Sequence, residues 1–195
     1  MDYIFNRKTI VGENMLIKLI DDINRALENE CFFAALALAL TLPDTCGKAA
    51  YPDLDENRYS KKRYTDWCKE YVCKTEKPFS SFGDDMPYLN EEIIYQLRCS
   101  LLHQSTPNVS PERIHEECCK VDEFSLVITD ESSVDSGTSM VSYGAGMKIV
   151  KRGYEVSIRH LCYILCASAK KYYEDNIESF NFINYHLVDD RKEES

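Results

Sequence analysis

Cys31-Phe-Phe-Ala-Ala-Leu-Ala-Leu-Ala-Leu-Thr-Leu42 is the longest apolar stretch of the chain, and it holds no charged residue. It falls well short of the roughly 20 apolar residues a membrane-spanning helix needs. Its alanines and leucines are strong helix formers, and the alanines let neighbouring helices approach closely. The stretch therefore predicts a buried central helix in a mainly α protein.

On its N-terminal side, Leu16, Leu19, Ile20, Ile23 and Leu27 recur at helical spacing, with Asp21, Asp22 and Asn24 opposite, over about residues 13–28. Asn29 and Glu30 leave only a short connection, so these two helices should form an antiparallel hairpin. On the C-terminal side, Pro43 should kink or end the central helix, and Gly47 and Pro52 should close the segment. From Asn57 to Cys73, Tyr64, Trp67, Cys68 and Tyr71 share one face of a third helix. Lys61, Lys62 and Arg63 there read as a solvated face.

A polar loop from Lys77 to Pro87 precedes a fourth helix that starts near Asn90, whose side chain can cap the Glu91-Glu92 turn. Ile93, Ile94, Leu97, Leu101 and Leu102 are its apolar residues. Pro107 should stop it, and Pro111 should open a short helix through Cys119. Phe124 to Thr129 is rich in β-formers and should pair with Met147 to Val150 as a β-hairpin across a loop of Ser, Asp and Gly. A last helix is expected from about Ser157 to Glu178, with Ser157 as its cap. Phe180 to Val188 is apolar enough to pack. The expected architecture is one domain, 1–195: an antiparallel bundle of roughly four or five helices, a β-hairpin insert over about 122–153, and a short disordered tail over about 189–195.

The net charge of −10 argues against a broad groove that tracks a nucleic acid backbone, because such grooves draw affinity from many Lys and Arg contacts. Any nucleic acid contact has to be local. The N-terminus has no apolar stretch of the secretory kind, so a cytoplasmic, non-membrane protein is expected. The nine cysteines are odd in number and form no paired CxxC motifs, so they read as core hydrophobes. His115 beside Cys118 and Cys119 lacks a second ligand pair; no metal and no cofactor is expected.

No phosphate-binding glycine loop, HExxH or GxSxG occurs in the chain. Attention falls instead on Tyr95-Gln-Leu-Arg98-Cys-Ser-Leu-Leu-His103-Gln104, where an arginine and a histidine close an otherwise apolar helix. At helical geometry the two diverge by about 140° around the axis and by about 7.5 Å along it. One narrow face cannot carry both, so either the helix end distorts or a second copy completes the site. An arginine paired with a buried carboxylate, and a histidine capping the last carbonyls, would account for the same positions structurally. His160, in the first turn of the last helix, could line the same crevice.

Arg98-Cys-Ser-Leu-Leu-His103 resembles the signature of the HEPN superfamily, helical-bundle proteins with an Arg, a few intervening residues and a His late in one helix. The likeness extends loosely from about 13 to 175, through the alanine-rich helix, Pro43-Asp-Thr-Cys-Gly47 and the closing helix. It implies a homodimer whose facing helices build a composite ribonuclease centre of toxin or phage-defence type. His103 would be its general acid or base and Arg98 its phosphate clamp. Family nucleases usually carry a polar residue, commonly Asn, where Cys99 stands. Ser100 and Gln104 would then supply polar contacts to substrate, with Cys99 beside them. Two other functions fit the resemblance: a non-catalytic binding or assembly module, and the partner of a small nucleotidyltransferase that modifies it near this motif, for which Tyr95 does not stand at the usual tyrosine position after the histidine. An antitoxin or other protein is a further possible partner.

Overall fold

The computed structural model describes residues 8–11, 15–54, 56–74, 76, 87–109, 112, 121–130, 137–183 and 186–189. The expected helix from Pro111 to Cys119 lies outside them except for Glu112, as does the Lys77 loop up to its end at Pro87.

Helix α1, Met15–Glu28, buries Leu16, Ile20 and Ile23, the stripe its periodicity marks. It stops where Glu30 takes a left-handed φ of 57°, with the Cys31 amide donating to the Ala26 carbonyl at 2.8 Å. The chain then turns back into α2, Phe32–Ala39, which packs on α1. This helix is shorter and less enclosed than its composition suggests. Ala35, Leu36 and Ala39 are buried, whereas Phe33 is 52% exposed. Thr41 ends it by donating its backbone amide and its hydroxyl to the Leu38 carbonyl, at 3.0 and 2.7 Å.

Pro43 does not kink or close the central helix but sits in the first turn of a separate one, α3, Leu42–Ala50. The first turn leaves amides without intrahelical acceptors, so the missing proline N–H costs nothing there. Gly47 is likewise inside α3 rather than at its end, because a Cβ at that position would lie 2.8 Å from the Arg63 carbonyl oxygen. That close approach packs α3 on α4, Glu56–Tyr71. Trp67 and Tyr64 of α4 are fully buried, and Trp67 meets the edge of Tyr172 at 6.0 Å between ring centroids.

Helix α5, Glu91–Gln104, starts as expected, with Asn90 Oδ1 accepting from the Glu92 and Ile93 amides at 3.1 Å. It packs on α4 and α2. The last long helix, α6, Ile158–Asp175, is capped by Ser157 and packs against α1, α2 and α3, so the core is continuous from Ile23 to Leu165 and Tyr172.

The β insert differs from the expected hairpin. Strands β2, Glu123–Val127, β3, Gly137–Tyr143, and β4, Ile149–Ser157, form a mixed sheet of order β2-β4-β3. Phe124 pairs with Tyr154 in parallel, and the hairpin partner of β4 is Gly137–Tyr143, inside the stretch expected to be loop. The alternation of half-buried and exposed residues in Gly-Thr-Ser-Met-Val-Ser-Tyr is the strand signal that its Ser and Gly content masks. Strand β4 enters the core at Tyr154 and Val156 and runs directly into α6, so the sheet is built into the helical body beyond residue 153. A two-stranded antiparallel ribbon pairs β1, Lys8–Val11, with β5, His186–Asp189. Asp189, the first residue of the expected frayed tail, is thereby paired with Lys8.

Among the described residues no helix is long and apolar enough to cross a membrane. Gly47→Ala should force α3 away from the α4 backbone, at a cost of about 1–3 kcal/mol. Chemical denaturation of the two proteins would show a lower midpoint for the variant, and an unchanged midpoint would refute the close-approach account.

Candidate functional site

Arg98 leaves α5 toward α3, where Asp44 occupies the first turn one helical turn before Gly47. Arg98 Nε donates to Asp44 Oδ2 at 3.2 Å and Nη2 stands 3.1 Å from the same oxygen. The remaining terminal nitrogen, Nη1, is 3.1 Å from His103 Nε2. The two side chains do meet within one subunit, contrary to the divergence that helical geometry predicts. The arginine is long enough to cover the offset, and a helical side chain such as His103 leans back toward the N-terminus, shortening the gap.

The contact has a definite protonation requirement. A guanidinium offers only donors, so His103 Nε2 accepts and must be unprotonated while the contact lasts. Arg98 is 22% exposed and Asp44 35%, and the His103 ring is on the surface. Burial pushes the Asp44 carboxyl above its ordinary range, against the opposing pull of Arg98 and Arg63. For Arg98, burial works against the charged form, but Asp44 and Cys99 outweigh it and raise the guanidinium further.

The helix end that presents His103 closes on two of its own carbonyls. Ser105 takes a left-handed conformation, φ 56°, its amide donating to Leu101 and that of Thr106 to Ser100, each at 3.2 Å. The imidazole Nε2 turns to Arg98 and not to a helix carbonyl. A left-handed φ outside glycine is uncommon and costs roughly 1–2 kcal/mol, so the chain is held tightly where α5 leaves the site.

The other expected substrate contacts divide. Gln104 is exposed beside His103. Ser100 is 4% exposed and belongs to the packed side of α5, so it has no route to a solvent-borne substrate. Cys99 is half-buried and bonds with Tyr95, whose phenol is raised chiefly by burial and then by that bond. Tyr95 itself packs on the edge of Tyr64 at 5.4 Å and has Lys61 over its ring, which makes it a wall of the site.

His160 is elsewhere. Its Nε2 lies 3.2 Å from Glu76 Oε2, and it lines a groove between α1 and α6 with Ile20 and Tyr163. His115, Cys118 and Cys119 lie outside the described residues, and His186 is described only as a backbone position in β5. No three His, Cys, Asp or Glu residues gather as metal ligands among the described residues. Cys46, Cys68, Cys73, Cys162 and Cys166 are buried, as core hydrophobes.

Two site residues escaped the sequence reading. Asp44 was visible only as part of the Pro43–Gly47 segment, and nothing local says that it faces Arg98 fifty-four positions later. Arg63 is 6% exposed and does not belong to a solvated face. Its position four residues before Trp67 and beside Tyr64 put it on the buried side of α4, a signal that its charge concealed.

If Arg98 holds His103 Nε2 as an acceptor, the neutral imidazole carries its proton on Nδ1. Long-range proton–nitrogen NMR spectra should show that tautomer in the wild type. In Arg98→Met the fraction protonated on Nε2 should rise; identical tautomer ratios would disprove the contact in solution.

No family model, no curated protein and no solved structure matches this chain.

Proposed function

We propose that the chain is a metal-independent RNA endonuclease of toxin or phage-defence type, a cytoplasmic homodimer built on a helical bundle of the HEPN kind. The observation that carries this reading is the direct contact between the Arg98 guanidinium and a surface imidazole, His103, at 3.1 Å. Cleavage of RNA by its own 2′-hydroxyl needs a base near neutrality, an acid for the leaving oxygen and a cation for the phosphate. Arg98 and His103 supply the cation and the base. When a ribose hydroxyl displaces Nη1 from Nε2, the imidazole gains a proton to take and the guanidinium gains free donors for phosphate oxygens.

The 2′-oxygen then bonds to phosphorus as its proton passes to Nε2, and the bond from phosphorus to the 5′-oxygen breaks. A proton for that oxygen comes from the imidazolium of a second copy across a two-fold axis, protonated from solvent once its Nε2 is released from its own Arg98. The imidazole that took the 2′-hydroxyl proton returns it to solvent. This arrangement makes a homodimer part of the proposal. The products are a 2′,3′-cyclic phosphate and a 5′-hydroxyl. Asp44 holds Arg98 in place without touching substrate, which makes it a positioning residue.

A non-catalytic binding or assembly module is the second reading. It is favoured by the engagement of Arg98 with Asp44 and by Cys99, a weak hydrogen-bonding group, beside the arginine. An antitoxin or other protein would then be the partner, and RNA would be untouched.

Purified protein incubated in EDTA with a panel of structured and unstructured RNAs separates the two. The expected result is cleavage leaving cyclic phosphate ends, with His103→Ala slower by about 10²–10⁴-fold and Arg98→Ala comparably impaired. Induced expression should arrest growth for the wild type and not for His103→Ala. RNAs left intact by a folded dimer, with growth unaffected, would hand the function to the binding module.

A further inference from the structure

Arg63 is the buried charge that this chemistry leaves unused. It is 6% exposed, its Nη1 donates to the Leu54 carbonyl at 3.3 Å, and its Nε finds no hydrogen-bond partner among the described residues. An incompletely bonded guanidinium is costly to bury, since both its charge and its donors want compensation. Asp44, which lines the same cavity, feels its field but accepts its hydrogen bonds from Arg98.

The side chain lines a cavity of about 320 Å³ shared with Asp44, Ser60, Tyr64 and Arg98. Among the described residues that line it, two guanidiniums meet one carboxylate, a local excess of positive charge on a chain of net charge −10. Tyr64 contributes a wall and no donor, because its hydroxyl is committed to the Leu40 carbonyl at 3.0 Å. Ser60, exposed at the rim one turn before Tyr64, adds a hydroxyl. The volume is at the small end of ligand cavities, roughly 300–1,000 Å³. It suits a compact anion whose remainder projects into solvent better than a whole nucleotide. A tetrahedral oxyanion matches the planar fork of an arginine, and Arg98, which lines the same cavity, can share it.

We infer that the Ser60–Arg63–Arg98 cavity is a phosphate subsite, with Arg63 as its principal anchor. Its assignment to an RNA strand rests on the nuclease reading, whereas its affinity for phosphate does not. The phosphate belongs either to an internal diester next to the cleaved one or to a terminal or free phosphate, and the two make different demands on the rim.

The test is calorimetric titration of the full chain carrying His103→Ala, so that nothing is cleaved, with inorganic phosphate and separately with a dinucleotide that has one internal diester and no terminal phosphate. Ionic strength is held constant with sodium chloride. Saturable binding of at least one probe is expected, weakened about tenfold or more when Arg63→Met or Ser60→Glu is added. Phosphate as the tighter probe assigns a terminal or free phosphate, and the dinucleotide assigns an internal diester. Neither probe binding above chloride would overturn the subsite, as would binding that a folded Arg63→Met variant leaves unchanged. Where Arg63→Met does not fold, Ser60→Glu, at an exposed position, decides by the same criterion. Phosphate binding without RNA cleavage by the wild type would sink the nuclease and leave the subsite. Cleavage without Arg63-dependent binding would do the reverse.

Discussion

The site depends on how closely α3 lies against the backbone of α4. At Gly47 the space for a side chain is taken by the Arg63 peptide, and only a residue without a Cβ lets the two helices meet there. One turn earlier on α3 stands Asp44, carried by the same approach to within hydrogen-bond reach of Arg98 on α5. Arg63 itself is enclosed by that contact, although its charge would ordinarily keep it at the surface. The absence of one methyl group thus lets α3 meet the α4 backbone beside the two residues, Asp44 and Arg63, that share the site with Arg98.

Arg98 is divided between two partners with opposite demands. Asp44 wants a full positive charge beside it, and its burial makes that demand strong. His103 offers a lone pair, which it keeps only while Nε2 is unprotonated. The ion pair with Asp44 uses Nε and Nη2, so it can persist while Nη1 exchanges the imidazole for an incoming oxygen. The arginine can then change one bond without leaving its anchor, and the ordering cost is met in advance. The left-handed Ser105 closes α5 immediately after Gln104, which fixes the backbone that carries the imidazole.

Periodicity made the helices legible: α1 and α5 start and stop close to where apolar spacing, Asn90 and the Asn29-Glu30 break put them. Punctuation was misread where one residue type serves two purposes. Pro43 looked like an end and is a beginning, because a proline is equally suited to the first turn of the next helix. Gly47 looked like a terminator and is a contact. Strand β3, the local hairpin partner of β4, was hidden by Ser and Gly, and the parallel pairing of β2 with β4 is non-local and has no signature in either segment alone. Of the site, Arg98 and His103 stood out because polar residues on an apolar helix end are conspicuous. Asp44 and Arg63 did not, since a carboxylate in a first turn and a cation beside Lys61 and Lys62 both have ordinary explanations.

The charge distribution constrains what such a site can engage. A chain of net charge −10 repels a polyanion at long range, while the guanidiniums of Arg63 and Arg98 attract phosphate only at contact. The Debye length at physiological ionic strength is about 8 Å, so the repulsion is largely screened there, whereas a pair inside a cavity is screened much less. Recognition of an RNA strand, as proposed, would then be decided over one or two phosphates instead of a long backbone track. Extended duplexes bring much charge for few contacts, and an exposed loop or end brings few charges and can reach into the cavity. Under the proposed nuclease reading, a local cationic pocket on an acidic body would select for accessible, flexible stretches of strand by the charge it excludes as well as by the charge it binds.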